Sequence, residues 1–394
     1  MQRVRTGLDV FVAEDFRRLR GQRIGVVAHP ASVDSRLRHI TELLQAAPGV
    51  KVEILFGPEH GFLGQAQDLE PVDSPRSGET STARVISLYG TAADSLRPTR
   101  QHLSGLDTLV IDLQDVGARY YTFQTTMLYC LEAANLIGLR TVVLDRPNPI
   151  GGSQIEGPRL TSSFESFVGC HDLATRHGLT LGELARLYQV ERKLDNAAIE
   201  IVPCQGWQRE MYFEDNGLPW VLPSPNMPSV ETAIVYPGQC LHEGTNISEG
   251  RGTTRPFELC GAPWVDAMTV TERLNREGLP GVVFRAVSFQ PTFQKHAGRQ
   301  CGGVQLHVVD RSAFQPVRTG LALVAALRKL SGDQFQWRTE PYEFVSTPIA
   351  IDLLFGSDRE RRAIEAGHAW RDIAAMWRKE EQAFAERRKP FLLY

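Results

Sequence analysis

At 394 residues, with 42% hydrophobic and 23% charged residues, the chain has globular composition and length enough for about two domains. A formal net charge of -3 supplies no basic field for a phosphate backbone, so nucleic acid is not an expected partner. The charged opening MQRVRTGLDVFVAEDF lacks the apolar stretch of a secretory leader, and no later run is long enough to span a bilayer. No membrane partner is expected, and the location read from the sequence is cytoplasmic, with a periplasmic or secreted one the alternative if a leader has been removed.

In chain order, QRIGVVA from Gln22 reads as a first strand and the region from Leu37 to Leu44 as the helix after it. VKVEILFGPEH from Val50 reads as a second strand, RVISLYG from Arg84 as a third, DTLVIDLQD from Asp107 as a fourth and RTVVLDRPN from Arg140 as a fifth. Between the last two, Thr125 to Ile137 has helical spacing. Short β-branched runs that alternate with helical patterns mark parallel strands joined by crossover helices. The expected fold class is therefore α/β, a Rossmann-like open parallel sheet.

At Gly151 to Pro158 the pattern changes to a Gly- and Pro-rich connector. The boundary is placed there, with 1–155 as a Rossmann-like catalytic domain and 156–394 as a smaller α+β domain that completes an active-site cleft. In the second part Thr180 N-caps an amphipathic helix, Leu181 to Lys193, with Glu183 closing a capping box. EIVPCQGW, TAIVYPG, GVVFRAVSF and GVQLHVVD read as strands, and Asp358 to Arg388 as a charged helical tail. The six cysteines are scattered without C-x-x-C spacing, which disfavours zinc and a disulfide framework.

Polar residues at the carboxyl ends of parallel strands tend to line a ligand cleft. Three such sets stand out: Glu59 and His60 in GPEHG; Asp112, Gln114, Asp115 and Arg119; Asp145, Arg146 and Asn148. Placed at one edge of one sheet, they are expected to form a single site. The competing reading is a structural ion-pair network, because a buried carboxylate persists only when paired, here with Arg119 or Arg146. A further polar set includes Asn226 in PSPNMP, then Glu243, Asn246, Glu249 and Arg251 in HEGTNISEGRGTT. Its neutral donors and acceptors suit sugar hydroxyls, although turn-forming surface loops have similar composition. GPEHGFLG lacks both G-x-G-x-x-G and G-K-[ST], which argues against a nucleotide. With the histidines dispersed, no metal or other cofactor is expected, and the surviving metal idea is magnesium at Asp112, Asp115 and Asp145.

FGPEHGFLG, SLYG, DLQDVGARYYTF, VLDRPNPIGG, SFVG, RHGLTLGELA, LPWVLPSPNMPS, AIVYPGQCLHEGTNISEGRGTTRPFE and the terminal FLLY together resemble the signature segments of the NamZ-type exo-β-N-acetylmuramidases. The likeness runs from Gly7 to the last residue. It implies a Rossmann-like domain and a smaller one with a cleft between them. It also implies hydrolysis of terminal β-1,4-linked N-acetylmuramic acid at the non-reducing end of peptidoglycan-derived saccharides, with Glu59 as the leading catalytic residue. One departure is AHPASVD after the first strand, with His29 where relatives commonly show an Asn in a TNPTGVD-like stretch.

Glycosidic cleavage needs a carboxyl group to protonate the leaving oxygen and usually a second group at the oxocarbenium-like centre. Glu59 is the expected acid, its pKa raised toward neutrality by partial desolvation; His60 is open as a group that orients it, one that shares its proton, or one that only supports the site through a hydrogen bond. Asp115, Asp112, Asp145 and Glu249 are open for the second role. Retention, inversion and assistance by the substrate's 2-acetamido group stay open too. Tyr120, Tyr121 and Tyr89 are candidates for sugar contact, and Arg119, Arg146 and Arg251 for the lactyl carboxylate of muramic acid. Two further readings remain: a non-catalytic muropeptide-binding protein and a metal-dependent phosphoesterase.

Overall fold

The computed structural model describes residues 3–67, 70–72 and 83–394. Strands β1 (Arg23–Ala28), β2 (Lys51–Gly57), β3 (Arg84–Ser87), β4 (Thr108–Asp112) and β5 (Arg140–Leu144) fall in the segments that the sequence marks. β4 is buried at every position, as a strand covered on both faces must be. β6 (Glu156–Arg159) and β7 (Ala174–Arg176) form a separate antiparallel ribbon, and β8 (Ile199–Val202) returns to the main sheet. The order is β3-β2-β1-β4-β5-β8 with every pairing parallel. The chain moves outward from β1 in one direction and from β4 in the other, which opens a crevice beyond their carboxyl ends. The sixth strand comes from beyond the Gly151–Pro158 connector, because 156–198 is an excursion that makes the ribbon and a helix before the chain rejoins the sheet.

The first part carries α1 (Gly7–Ala13), α2 (Ile40–Ala46), α3 (Arg100–Leu103), α4 (Phe123–Ile137) and α5 (Leu181–Glu191). α5 begins with the Thr180/Glu183 capping box read from the sequence. Its first turn sits on Asp145, whose carboxylate accepts the Thr180 hydroxyl, the Gly182 amide and the Tyr394 hydroxyl, each at 2.7 Å. A Cβ on Gly182 would stand 2.6 Å from Asp145 Cγ, so this close approach requires glycine.

Burial pushes the Asp145 carboxyl up to about 6, against the three donors that pull it down. With the folded value above the unfolded one near 3.8, the stability this group contributes is full below about pH 4 and is lost as pH rises through about 6. Removing a donor from a buried charged acceptor costs about 1.5–3 kcal/mol. Tyr394→Phe should therefore lower the unfolding free energy by about that much near pH 8, and by less near pH 5, where Asp145 is neutral. Urea titrations at the two pH values check it, and an equal loss at both would assign the effect to packing.

The second part contains α6 (Val230–Gln239), β9 (Leu259–Ala262), α7 (Ala267–Arg276), β10 (Val282–Phe289), β11 (Cys301–Val308) and α8 (Pro316–Ser331). α9 (Ala350–Phe355), α10 (Arg359–Glu365), α11 (Trp370–Ala375) and α12 (Arg378–Arg388) complete it. The strands form an antiparallel sheet in the order β10-β11-β9. TAIVYPG, read as a strand, is the body of α6. The segment is buried at nearly every position, so its apolar run carries no periodicity to separate helix from strand, and Ser229 caps it through the Thr232 amide. The charged helical tail consists of three short helices, α10 to α12. A single apolar cluster links the two parts, joining Ile111 and Val143 of the parallel sheet to Ile234, Leu321 and Leu353. Among the described residues, no helix is long and apolar enough to cross a membrane.

Candidate active site

β2 ends at Gly57, where a Cβ would stand 2.5 Å from the Phe62 amide nitrogen, so glycine is needed for the turn that follows. That turn closes with the Gly61 amide donating to the Pro58 carbonyl at 2.9 Å, and His60 within it adopts φ 70°. A left-handed residue with a side chain stores strain that the surroundings must hold, a condition common at functional sites. Glu59 and His60 both line one pocket. Glu59 accepts from the Thr122 hydroxyl, immediately before α4, where the helix dipole favours a carboxylate. His60 Nδ1 lies 2.9 Å from the Ala66 carbonyl. Since a carbonyl only accepts, that nitrogen carries the proton, and in the neutral ring Nε2 is the acceptor.

The facing wall comes from the second part. Glu243 accepts from Arg251 Nη2 at 2.7 Å and from the Tyr342 hydroxyl at 2.6 Å. Arg251 Nε lies 3.4 Å from Glu249, which also takes Lys295 Nζ at 2.8 Å. Burial raises the Glu249 carboxyl, but Lys295 and Arg251 outweigh it and hold the group below its ordinary range. Next to Tyr342, Glu343 and Phe344 adopt φ 47° and 66°, inside a turn closed by a pair of backbone hydrogen bonds, each of Tyr342 and Val345 donating its amide to the other's carbonyl at 2.9 Å. Glu343 lines the pocket and accepts the Tyr89 hydroxyl at 2.9 Å. Among the described residues, the pocket's carboxylates are Glu59, Glu243 and Glu343.

The three strand-end sets do not meet in one site. β2 and β5 lie three strand spacings apart, about 14 Å. Asp112 forms a buried two-point pair with Arg146, at 2.5 and 2.8 Å, and Arg146 and Gln114 line a different cavity beside Trp220. Asp145 secures α5 and the C-terminus. Asn148 donates to the Leu179 carbonyl and accepts the Ile150 amide, holding its own turn. Arg119 gives its hydrogen bonds to the carbonyls of Pro158, Leu173, Leu354 and Phe355, and burial pulls its guanidinium down to about 10. It stitches the two parts together. Asp115 accepts the Gly117 amide at 2.6 Å and is not on the pocket lining; Tyr121 stands near both it and Glu59, and burial and those charges push that phenol up.

Asn226 ties its loop to Gln67, and the Tyr120 ring lines the pocket while its hydroxyl donates to the Pro237 carbonyl. Asn246 and Glu249 line an adjoining groove. His29 accepts the Gln114 amide at 3.0 Å and is held neutral by burial and the Arg146 charge, linking the loops after β1 and β4 away from the pocket. Among the described residues, Asp112, Asp115 and Asp145 do not converge as a metal-ligand set.

Two family profiles described as exo-beta-N-acetylmuramidase NamZ, N-terminal and C-terminal, match residues 24–231 and 234–394. The chain belongs to the NamZ family. It is 45% identical over 392 residues to the peptidoglycan beta-N-acetylmuramidase NamZ of Bacillus subtilis, covering 100% of this chain and 92% of that protein. Crystal structures of two DUF1343-family proteins from Bacteroides fragilis are similar, with TM-scores of 0.89 and 0.78 and identities of 32% and 28%. Each match covers 100% of this chain and 99% of the other. The NamZ halves meet at the pocket: Glu59, His60 and Thr122 come from the first, and Glu243, Arg251 and Glu343 from the second.

Proposed function

We propose that this chain is an exo-β-N-acetylmuramidase that releases N-acetylmuramic acid from the non-reducing end of peptidoglycan fragments. The observation that carries the reading is the 45% identity across the whole chain to a peptidoglycan β-N-acetylmuramidase. The pocket chemistry supports it. Glu59 protonates the glycosidic oxygen as the bond to C1 breaks, with Thr122 and His60 fixing its position. Glu343, which lines the same pocket from the second part of the chain, is the carboxylate that meets the positive charge developing at C1 or activates water. The two family matches adjoin between residues 231 and 234.

Of the three arginines considered for the lactyl group, Arg251 lines this pocket and takes that role. Incubation with the disaccharide N-acetylmuramyl-β-1,4-N-acetylglucosamine should release free N-acetylmuramic acid, whereas tight binding without turnover would favour a binding protein. Arg251→Lys keeps the charge beside Glu243 and Glu249 but loses the planar fork. It should lower the kcat/KM preference for muramic acid over glucosamine glycosides about tenfold. Equal losses on both substrates would remove Arg251 from lactyl recognition.

A further inference from the structure

Glu243 lines two cavities, the Glu59 pocket and a larger groove of about 530 Å³. Two chain segments serve both. Residues 243–251 give Glu243 and Arg251 to the pocket and Asn246 and Glu249 to the groove, while residues 336–343 give Trp337 and Arg338 to the groove and Tyr342 and Glu343 to the pocket. The segments are laced together by the Arg338 amide on the Gly244 carbonyl at 2.9 Å and the Asn246 amide on the Gln336 carbonyl at 3.0 Å. Pocket and groove are thus consecutive stretches of one surface, so a saccharide with its terminal unit in the pocket has the groove available for the next.

Several polar groups of the groove are already occupied. Lys295 Nζ donates to the His242 and Ile247 carbonyls and to Glu249, and the Asn246 amide bonds the backbone of Gln334 and Gln336. Trp337 differs. It is half-buried, its Nε1–H donates to Glu365 at 2.9 Å, and Phe335 meets it edge-on at 5.0 Å, so the ring is fixed before any ligand arrives. A rigid aromatic plate is used at little entropic cost, and its face suits the C–H face of a pyranose. Beside it, the Arg338 guanidinium lies 5.1 Å over the Tyr342 ring and brings donors to the junction of groove and pocket.

We infer that this groove is a leaving-group subsite, which binds the hexosamine ring on the reducing side of the scissile bond with Trp337 as its platform. The inference rests on the glycosidase reading above. Binding at a distance from the reacting bond is used to align that bond, so the subsite contributes to kcat as well as to KM.

The test compares the muramyl–glucosamine disaccharide with N-acetylmuramyl β-fluoride, whose one-atom leaving group cannot reach the groove. In Trp337→Ala the ratio of kcat/KM for the disaccharide to that for the fluoride should fall about tenfold, and Trp337→Phe should restore most of it. Trp337→Leu, closer in volume, gives the same readout if the alanine variant does not fold. An unchanged ratio in folded Ala or Leu variants overturns the subsite. Wild-type protein that turns over neither substrate overturns the glycosidase reading instead, a result distinct from the first.

Discussion

Glu59→Gln should lower kcat on the muramyl–glucosamine disaccharide about 1000-fold, the range of a lost general acid, with little change in KM. That corresponds to about 4 kcal/mol of transition-state stabilisation. The amide is isosteric and its oxygen still accepts the Thr122 hydroxyl, so the turn keeps its shape and near-ultraviolet dichroism should be unchanged. A leaving group of low pKa needs less protonation. The same variant should therefore lose far less activity on a nitrophenyl glycoside than on the disaccharide. Equal losses on both would show that Glu59 acts in some other way than by giving up a proton.

Glu59 is legible in the sequence because the signals around it are local. An apolar β-branched run ends at a glycine, a proline follows, and a charged pair stands where a parallel strand delivers side chains to a cleft. The parallel sheet is legible for the same reason, since each strand carries its own alternation with a helix, and the α5 cap is written within four residues. Asp112 and Asp145 mislead because a sequence shows that they end strands but not how many strands separate them. The sheet order keeps β5 away from β2, and Arg146 and Tyr394 give those two acids structural work.

Glu343 has no such local signal. PYEFVS carries no periodicity, no glycine and no turn motif, and the left-handed conformation of Glu343 and Phe344 exists only because the turn is held from outside. Tyr342 is bound to Glu243, and Tyr89, some 250 residues earlier, reaches Glu343. α6 is hidden for a related reason. A helix buried all round loses the amphipathic stripe by which helices are recognised, and Tyr236-Pro237-Gly238 then imitates the turn after a strand.

That origin makes Glu343 the position of the second large effect. Two adjacent side-chain-bearing residues at positive φ cost about 1–3 kcal/mol each, and such strain persists where function or packing fixes the side chain's direction. Glu343→Ala should lower kcat about 100-fold or more on the disaccharide if the carboxylate works at C1. A packing role alone would also reduce activity, so the deciding readout is rescue. Azide ions, small enough to enter the space left by the carboxylate, should restore turnover and yield a muramyl azide if Glu343 serves the reacting carbon. An azide of inverted configuration would place the missing carboxylate on the face of C1 opposite the leaving group, where a nucleophile or a water-activating base stands. Failure of azide to raise the rate in a folded variant would leave Glu343 as a brace for Tyr89 and pass the second role to Glu243 or to a group outside the pocket lining.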